Sequence, residues 1–148
     1  MAAIRRAEAT WSGDLPTGKG KVSAVSSGVF KDLDVSWARR SEADANGVTS
    51  PEELLAAAHA ACFAMAFSAQ LGRAGAPPEA LTVSAAVTFD RVGDGFKVVS
   101  SALEVRGRAP NIDEAKFREL AEVAKDGCPI SGALKGNVDL SVKATLEK

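Results

Sequence analysis

The chain of 148 residues is long enough for one domain with a buried core, and its 18 Lys and Arg nearly balance its 19 Asp and Glu. Because the basic residues form no run, the composition disfavours binding to nucleic acid or to an acidic membrane surface. The single histidine and the two cysteines fall short of a zinc ligand set, so we expect no metal and no cofactor.

The N-terminal segment lacks the apolar stretch of a signal peptide, which predicts a cytoplasmic protein. In that compartment two cysteines are more often free, catalytic or redox-active than joined in a structural disulfide. Each cysteine is therefore a candidate functional residue.

The first third of the chain predicts three antiparallel strands, at residues 4–11, 21–25 and 30–37. In the third, Leu33, Val35 and Trp37 alternate with polar residues at the period of a strand. The polar segment 38–49 predicts a loop that carries Arg39 and Arg40 toward the next helix.

A long helix is predicted next, with Ser50 as N-cap, Pro51 in the first position and Glu53 as the second half of a capping box. No charge follows Glu53 until Arg73, and residues 54–71 are apolar around the whole circumference. Such a helix is typically buried. Its alanines and polar residues favour a core helix over a membrane span.

The rest of the chain predicts a hairpin, two helices and a last strand. The element order indicates a single α+β domain over residues 1–148, with mainly antiparallel sheets packed around the long buried central helix. The predicted elements are strands 81–90 and 96–106 joined at Gly93-Asp94-Gly95, an amphipathic helix 113–125, a short helix from Pro129 to Leu134 and a strand 138–146.

Cys128 is predicted at the N-cap of the short helix, where free backbone N–H groups and the helix dipole favour a thiolate. The alternative is a small residue that fills a Gly-Cys-Pro turn. Cys62 lies inside the apolar helix, where burial raises the pKa of a thiol and makes it inert. Either an arginine, which stays charged when desolvated, or His59 one turn earlier could activate it.

Glu52 is a candidate site residue because Glu53 already has a capping role. Ten residues of helix separate Glu52 from Cys62, a rise of about 15 Å. The two side chains can therefore share a small site only if a second subunit supplies one of them. This predicts an isologous homodimer with its sites at the interface.

These segments resemble a known family. The sequence SPEELLAAAHAACFAMAFS, the segment DGCPIS with its cysteine 66 residues after the first, and the early WSGD and GKG turns resemble the OsmC/Ohr family of thiol peroxidases, on its OsmC side. The resemblance extends over essentially the whole chain. It implies the intertwined OsmC/Ohr-like homodimer.

The resemblance also implies an activity, which is reduction of organic hydroperoxides and hydrogen peroxide. By this resemblance Cys62 attacks the peroxide and becomes a sulfenic acid, which Cys128 resolves as an intramolecular disulfide, although the helix-end argument alone favours Cys128 as nucleophile. Glu52 and Arg40 would support the Cys62 thiolate, and Arg39 stays an alternative to Arg40. An external dithiol, such as a lipoylated protein, would reopen the disulfide.

Phe63, Met65 and Phe67 would then either line an apolar pocket for the hydroperoxide or belong to the core. Two other functions compete with the peroxidase. The first is a non-enzymatic, stress-related binding protein for apolar ligands. The second is a hydrolase that uses Cys62 and His59, in which substitution of His59 by Ala would abolish activity.

Overall fold

The computed structural model of the protein describes all residues, Met1–Lys148. They form two compact units, Met1–Leu54 and Leu55–Lys148. The fold is mixed α+β, with two sheets and a long central helix, as predicted. The assignment of residues 1–148 to a single domain stays a prediction.

The first unit contains a three-stranded antiparallel sheet in the order β1-β2-β3. Trp11 pairs with Gly20, and a Cβ at Gly20 would lie 2.7 Å from the Trp11 ring and 2.9 Å from Val35. The glycine therefore allows the indole to lie directly over the sheet. The strands are β1 Ala7–Ser12, β2 Lys19–Ala24 and β3 Leu33–Val35.

A short helix, α1, follows β3 at Trp37–Ser41. The prediction of a loop from residue 38 is therefore wrong at its start, and the third strand is shorter than predicted. The physical reason is a local cap: the Ser36 side chain accepts a hydrogen bond from the Arg39 backbone N–H. Both Arg39 and Arg40 consequently lie on a helix.

The long helix α2 spans Pro51–Arg73 and begins as predicted. The Glu53 backbone N–H donates to the Ser50 hydroxyl at 3.2 Å. The Glu53 carboxylate accepts from the Thr49 hydroxyl at 2.7 Å. The serine half of the capping box is thus confirmed, and Thr49 is the hydrogen-bond partner of the glutamate.

In the second unit, β4 and β5 form a long antiparallel hairpin and β6 pairs with β5 in parallel. The parallel pair is possible because two helices, α3 and α4, connect β5 to β6 and let the chain cross over. Mainly antiparallel pairing is confirmed, with this one exception. The elements are β4 Ala80–Val92, β5 Gly95–Arg108, α3 Glu114–Gly127, α4 Pro129–Leu134 and β6 Asp139–Leu146.

The core of this unit is formed by one side of α2, the inner face of the sheet and α3. Phe67 packs edge-to-face against Phe117, with the ring centroids 4.9 Å apart. The opposite side of α2 is exposed, including Ala57, Ala61 and Met65. The helix is long and apolar enough to cross a membrane, but Phe63, Phe67 and Leu71 are fully buried in the protein core.

Candidate active site

The two cysteines lie side by side in the second unit. The sulfurs of Cys62, on α2, and Cys128, between α3 and α4, are 3.0 Å apart, and both thiols are free. Cys128 is 1% exposed and Cys62 is half-buried. A disulfide requires about 2.05 Å between sulfurs, so a shift of about 1 Å would join them.

The Cys128 thiol lies at the N-cap of α4, as predicted. Burial alone would raise the pKa of Cys128, but hydrogen bonds from Cys62, from the Ser131 backbone N–H and hydroxyl and from the Ile130 N–H together lower it. The net pKa of Cys128 is below its ordinary value. This thiol is therefore the more acidic of the pair within the second unit.

The Cys62 thiol has the opposite tendency. Burial, helped by the hydrogen bond to Cys128, raises the pKa of Cys62, and the Ile130 backbone N–H opposes this only in part. A raised pKa leaves less thiolate at neutral pH. A positive charge brought close to Cys62 would lower its pKa and favour the thiolate.

Arg40 and Glu52 form a close ion pair in the first unit. The Arg40 Nε lies 3.0 Å and 3.3 Å from the two carboxylate oxygens of Glu52, and Nη2 lies 2.9 Å from Oε1. Glu52 is 7% exposed. Arg39 instead pairs with Glu42 at 3.3 Å. The geometry therefore associates Arg40, of the two candidate arginines, with Glu52.

An apolar cavity of about 400 Å³ opens beside Arg40 in the first unit. Trp11, Leu15, Trp37 and Pro51 contribute to its walls. The pocket walls considered from the sequence, Phe63, Met65 and Phe67, lie on α2 instead. Phe63 and Phe67 are fully buried core residues and Met65 is exposed. The available sequence signal for the cavity was Trp37, which comes shortly before Arg40 in the chain.

His59 is fully buried, and both its ring nitrogens are hydrogen-bonded to serines. Nδ1 lies 2.6 Å from the Ser101 hydroxyl and Nε2 lies 2.8 Å from the Ser131 hydroxyl. Burial lowers the pKa of His59, so the imidazole is neutral. Since both nitrogens bond to serines, the ring is not arranged as the base of a Cys-His hydrolase.

Ser101 and Ser131 were not among the residues predicted from the sequence as partners of this histidine. Ser101 occupies an inward position of β5, in alternation with the buried Leu103 and Val105. A serine among buried apolar residues indicates a buried polar partner. Ser131 follows Cys128 by one helical turn. Nowhere do three or more His, Cys, Asp or Glu side chains lie close enough together to hold a metal ion.

The model of the OsmC-like protein family matches residues 44–143 of this chain. The chain belongs to the OsmC-like protein family. Glu52, Cys62 and Cys128 lie within the matched residues, and Arg40 lies just before them.

Two relatives and one solved structure illustrate the similarity. The OsmC-like chain is 40% identical to the peroxiredoxin OsmC of Escherichia coli (strain K12) over 140 residues, which are 95% of this chain and 96% of the relative. It is 33% identical to an organic hydroperoxide resistance protein of Xanthomonas axonopodis pv. citri (strain 306), over 85% of this chain and 87% of the relative. The crystal structure of the organic hydroperoxide resistance protein OhrB of Bacillus subtilis matches with a TM-score of 0.68 and 25% identity. The match covers 95% of this chain and 98% of the OhrB chain.

The names of these relatives support a peroxidase role for the OsmC-like chain. Its two free thiols are arranged in a way that suits redox chemistry.

Proposed function

We propose that this OsmC-like protein is a cysteine-based peroxidase that reduces organic hydroperoxides, and hydrogen peroxide, through a sulfenic acid and an intramolecular disulfide. The observation that carries the proposal is the pair of free thiols with sulfurs 3.0 Å apart. No large movement is needed for one cysteine to resolve the oxidised form of the other.

The first step is attack by the Cys62 thiolate on the terminal oxygen of the hydroperoxide. The O–O bond breaks, Cys62 becomes a sulfenic acid, and the alkoxide leaves and takes a proton to give the alcohol. The sulfur loses two electrons and the peroxide gains them. Cys62 is assigned this step by its resemblance to the peroxidatic cysteine of the family.

The second step is attack by the Cys128 thiolate on the sulfur of the sulfenic acid. The S–O bond breaks, the disulfide forms, and the departing hydroxide takes a proton to become water. The lowered pKa of Cys128 suits this step because thiolate is the attacking form. An external dithiol, for which a lipoylated protein is our candidate, then reduces the disulfide and becomes oxidised itself.

Activation of Cys62 is assigned to Arg40, held by Glu52, of a second subunit. The pKa of Cys62 is raised within its own unit, and a cation from a second subunit would lower it. The ten-residue helical separation between Glu52 and Cys62, a rise of about 15 Å, favours a partner chain as its source. The exposed, alanine-rich side of α2 supports the homodimer, because small side chains let two helices approach closely.

The apolar cavity beside Arg40 supports an organic hydroperoxide as substrate. Trp11 and Trp37 offer aromatic surface to an alkyl or aryl group, and Arg40 lies at the same cavity. Hydrogen peroxide lacks such a group and would gain nothing from these walls. The two free thiols also suit a reducing compartment, and we propose a cytoplasmic location.

The test is stopped-flow mixing of reduced protein with cumene hydroperoxide, followed by mass mapping of the cysteines. The proposal expects loss of two thiols per chain and a disulfide between Cys62 and Cys128. The Cys128→Ser variant should stop at a Cys62 sulfenic acid that dimedone traps. Unchanged thiols in the wild-type protein would reject the peroxidase and favour the non-enzymatic apolar-ligand protein.

A further inference from the structure

A continuous series of buried polar side chains connects β5 to the resolving thiol. It runs from Ser101 through His59 and Ser131 to Cys128, with distances of 2.6 Å and 2.8 Å on the two sides of the imidazole. Ser131 comes three residues after Cys128, in the first turn of the helix that Cys128 begins, and its hydroxyl and backbone N–H both lower the pKa of the Cys128 thiol. The four side chains are each no more than 2% exposed, so water does not compete for these hydrogen bonds.

The direction of each hydrogen bond follows from the single proton on the Ser131 hydroxyl. When that proton is donated to the Cys128 thiolate, the Ser131 oxygen can only accept from His59, so Nε2 carries a hydrogen. The neutral ring then has an unprotonated Nδ1, which accepts from the Ser101 hydroxyl. In this arrangement each O–H and N–H of the two serine hydroxyls and the imidazole has an acceptor.

We propose that His59 is a positioning residue for the resolving step: its Nε2–H holds the Ser131 hydroxyl in the orientation that donates to the Cys128 thiolate. Without this donor, the hydroxyl can turn its proton toward other acceptors. Cys128 would then lose one of the hydrogen bonds that stabilise its charged form. The kinetic consequence of this inference rests on the proposed function. The effect of His59 on the acidity of Cys128 is independent of it.

Other charged groups near Ser131 are few. A small cavity of about 190 Å³ adjoins it, lined by Lys125 and Asp126 at the end of α3 and by Lys135 after α4. Lys125 is paired with Glu122 at 2.8 Å. On α2 the titratable neighbours are Cys62 and His59 itself, and from β5 only the hydroxyl of Ser101 reaches the ring. The variants below leave the charged residues Lys125, Asp126, Lys135 and Glu122 in place.

The decisive measurement is titration of the Cys128 thiolate, by its ultraviolet absorbance, in the Cys62→Ser background. A Gln at position 59 can place its amide near the former Nε2 and donate to Ser131, whereas an Asn is too short to do so. We expect His59→Asn to raise the pKa of Cys128 by about half to one unit, the worth of one buried hydrogen bond. In His59→Gln the pKa of Cys128 should return most of the way to its value in the protein that keeps His59. Equal pKa values in all three proteins, or equal shifts in both variants, would overturn the inference.

Leu71→Ala is the matched control for lost packing, because Leu71 is also fully buried on α2 but lies about 18 Å further along the helix. It should lower the melting temperature without changing the pKa of Cys128. A comparable pKa shift in Leu71→Ala would show that the His59 effect is only structural, and would also count against the inference.

The kinetic consequence is measured with both cysteines present. Dimedone trapping after a pulse of cumene hydroperoxide should show that disulfide formation is about three- to tenfold slower in His59→Asn at neutral pH. The difference should vanish at a pH above both Cys128 pKa values. If the wild type is not oxidised at all, the peroxidase proposal fails, and the thiolate titration still decides the role of His59.

Discussion

Replacing Glu52 by Ala is the sharpest test of how Cys62 becomes reactive. Glu52 holds Arg40 through three N···O contacts between 2.9 and 3.3 Å. Removing the carboxylate leaves the guanidinium without this partner. The Arg40 side chain is 35% exposed, so it can turn into water. We expect the variant to fold and to lose the orientation of Arg40.

The size of the effect has two parts. A charge-assisted hydrogen bond contributes about 1.5–3 kcal/mol, but exposure of Arg40 reduces this by screening, so we expect the free energy of unfolding to fall by about 1–2 kcal/mol. If Arg40 of a second subunit stabilises the Cys62 thiolate, loss of a bond of this class lowers kcat/KM. At about 1.4 kcal/mol per factor of ten, the loss is roughly tenfold to 100-fold.

The assay is single-turnover oxidation by cumene hydroperoxide, followed across pH, with urea unfolding measured in parallel. Loss of thiolate stabilisation should also move the midpoint of the Cys62 pH profile upward. Glu53→Ala is the matched control, because Glu53 is the next residue in the same helical turn and its carboxylate bonds to Thr49. It changes the same charge near the same helix dipole.

Glu53→Ala should lower stability slightly and leave the oxidation rate within about twofold of wild type, since it loses only cap and dipole interactions. An oxidation rate in Glu52→Ala equal to that of Glu53→Ala would refute the assignment. So would a large rate loss with no change in the pH midpoint of Cys62, because it would point away from thiolate stabilisation.

Three further predictions concern the cavity, the histidine and the dimer. Trp11→Ala should raise KM for cumene hydroperoxide by about fivefold and leave the rate with hydrogen peroxide unchanged, since it removes an aromatic wall. An equal loss of rate with both peroxides would contradict this. Because the pKa of His59 is lowered by folding, its contribution to stability is present above about pH 6.5 and is lost as pH falls through the folded pKa. From pH 7.5 to pH 5.5, the free energy of unfolding in urea should therefore fall more in the wild type than in His59→Asn. An equal fall in both proteins would argue against a buried neutral imidazole. Met65 is 69% exposed on the alanine-rich side of α2, so Met65→Glu should sediment as a monomer with slower peroxide oxidation; a stable, fully active dimer would disprove our placement of the interface.

Local sequence signals predicted the helices with caps and clear periodicity. The amphipathic helix predicted at 113–125 is α3, which Asp113 caps and which buries one stripe of apolar residues. Pro129 begins α4 with Cys128 at the N-cap. These features depend on neighbours within one or two turns, so the sequence contains the information that specifies them.

The short helix α1 was missed because its signal was weak. Its only strong feature is the Ser36 cap, and five residues are too few to show an apolar period. The parallel pairing of β6 was missed for another reason. The alternating pattern of a strand reports which face is buried but not the direction of its neighbour.

By itself the sequence determined every element type except the short helix α1, the resemblance to a peroxidase family and the candidate residues Arg40, Glu52, Cys62 and Cys128. Only the tertiary structure decided which side chains meet across long distances in the chain. The sulfurs at positions 62 and 128 come together because α2 and the start of α4 pack in one unit. The same packing places His59 between Ser101 and Ser131. Such contacts depend on the simultaneous packing of several elements, and no local pattern encodes that arrangement.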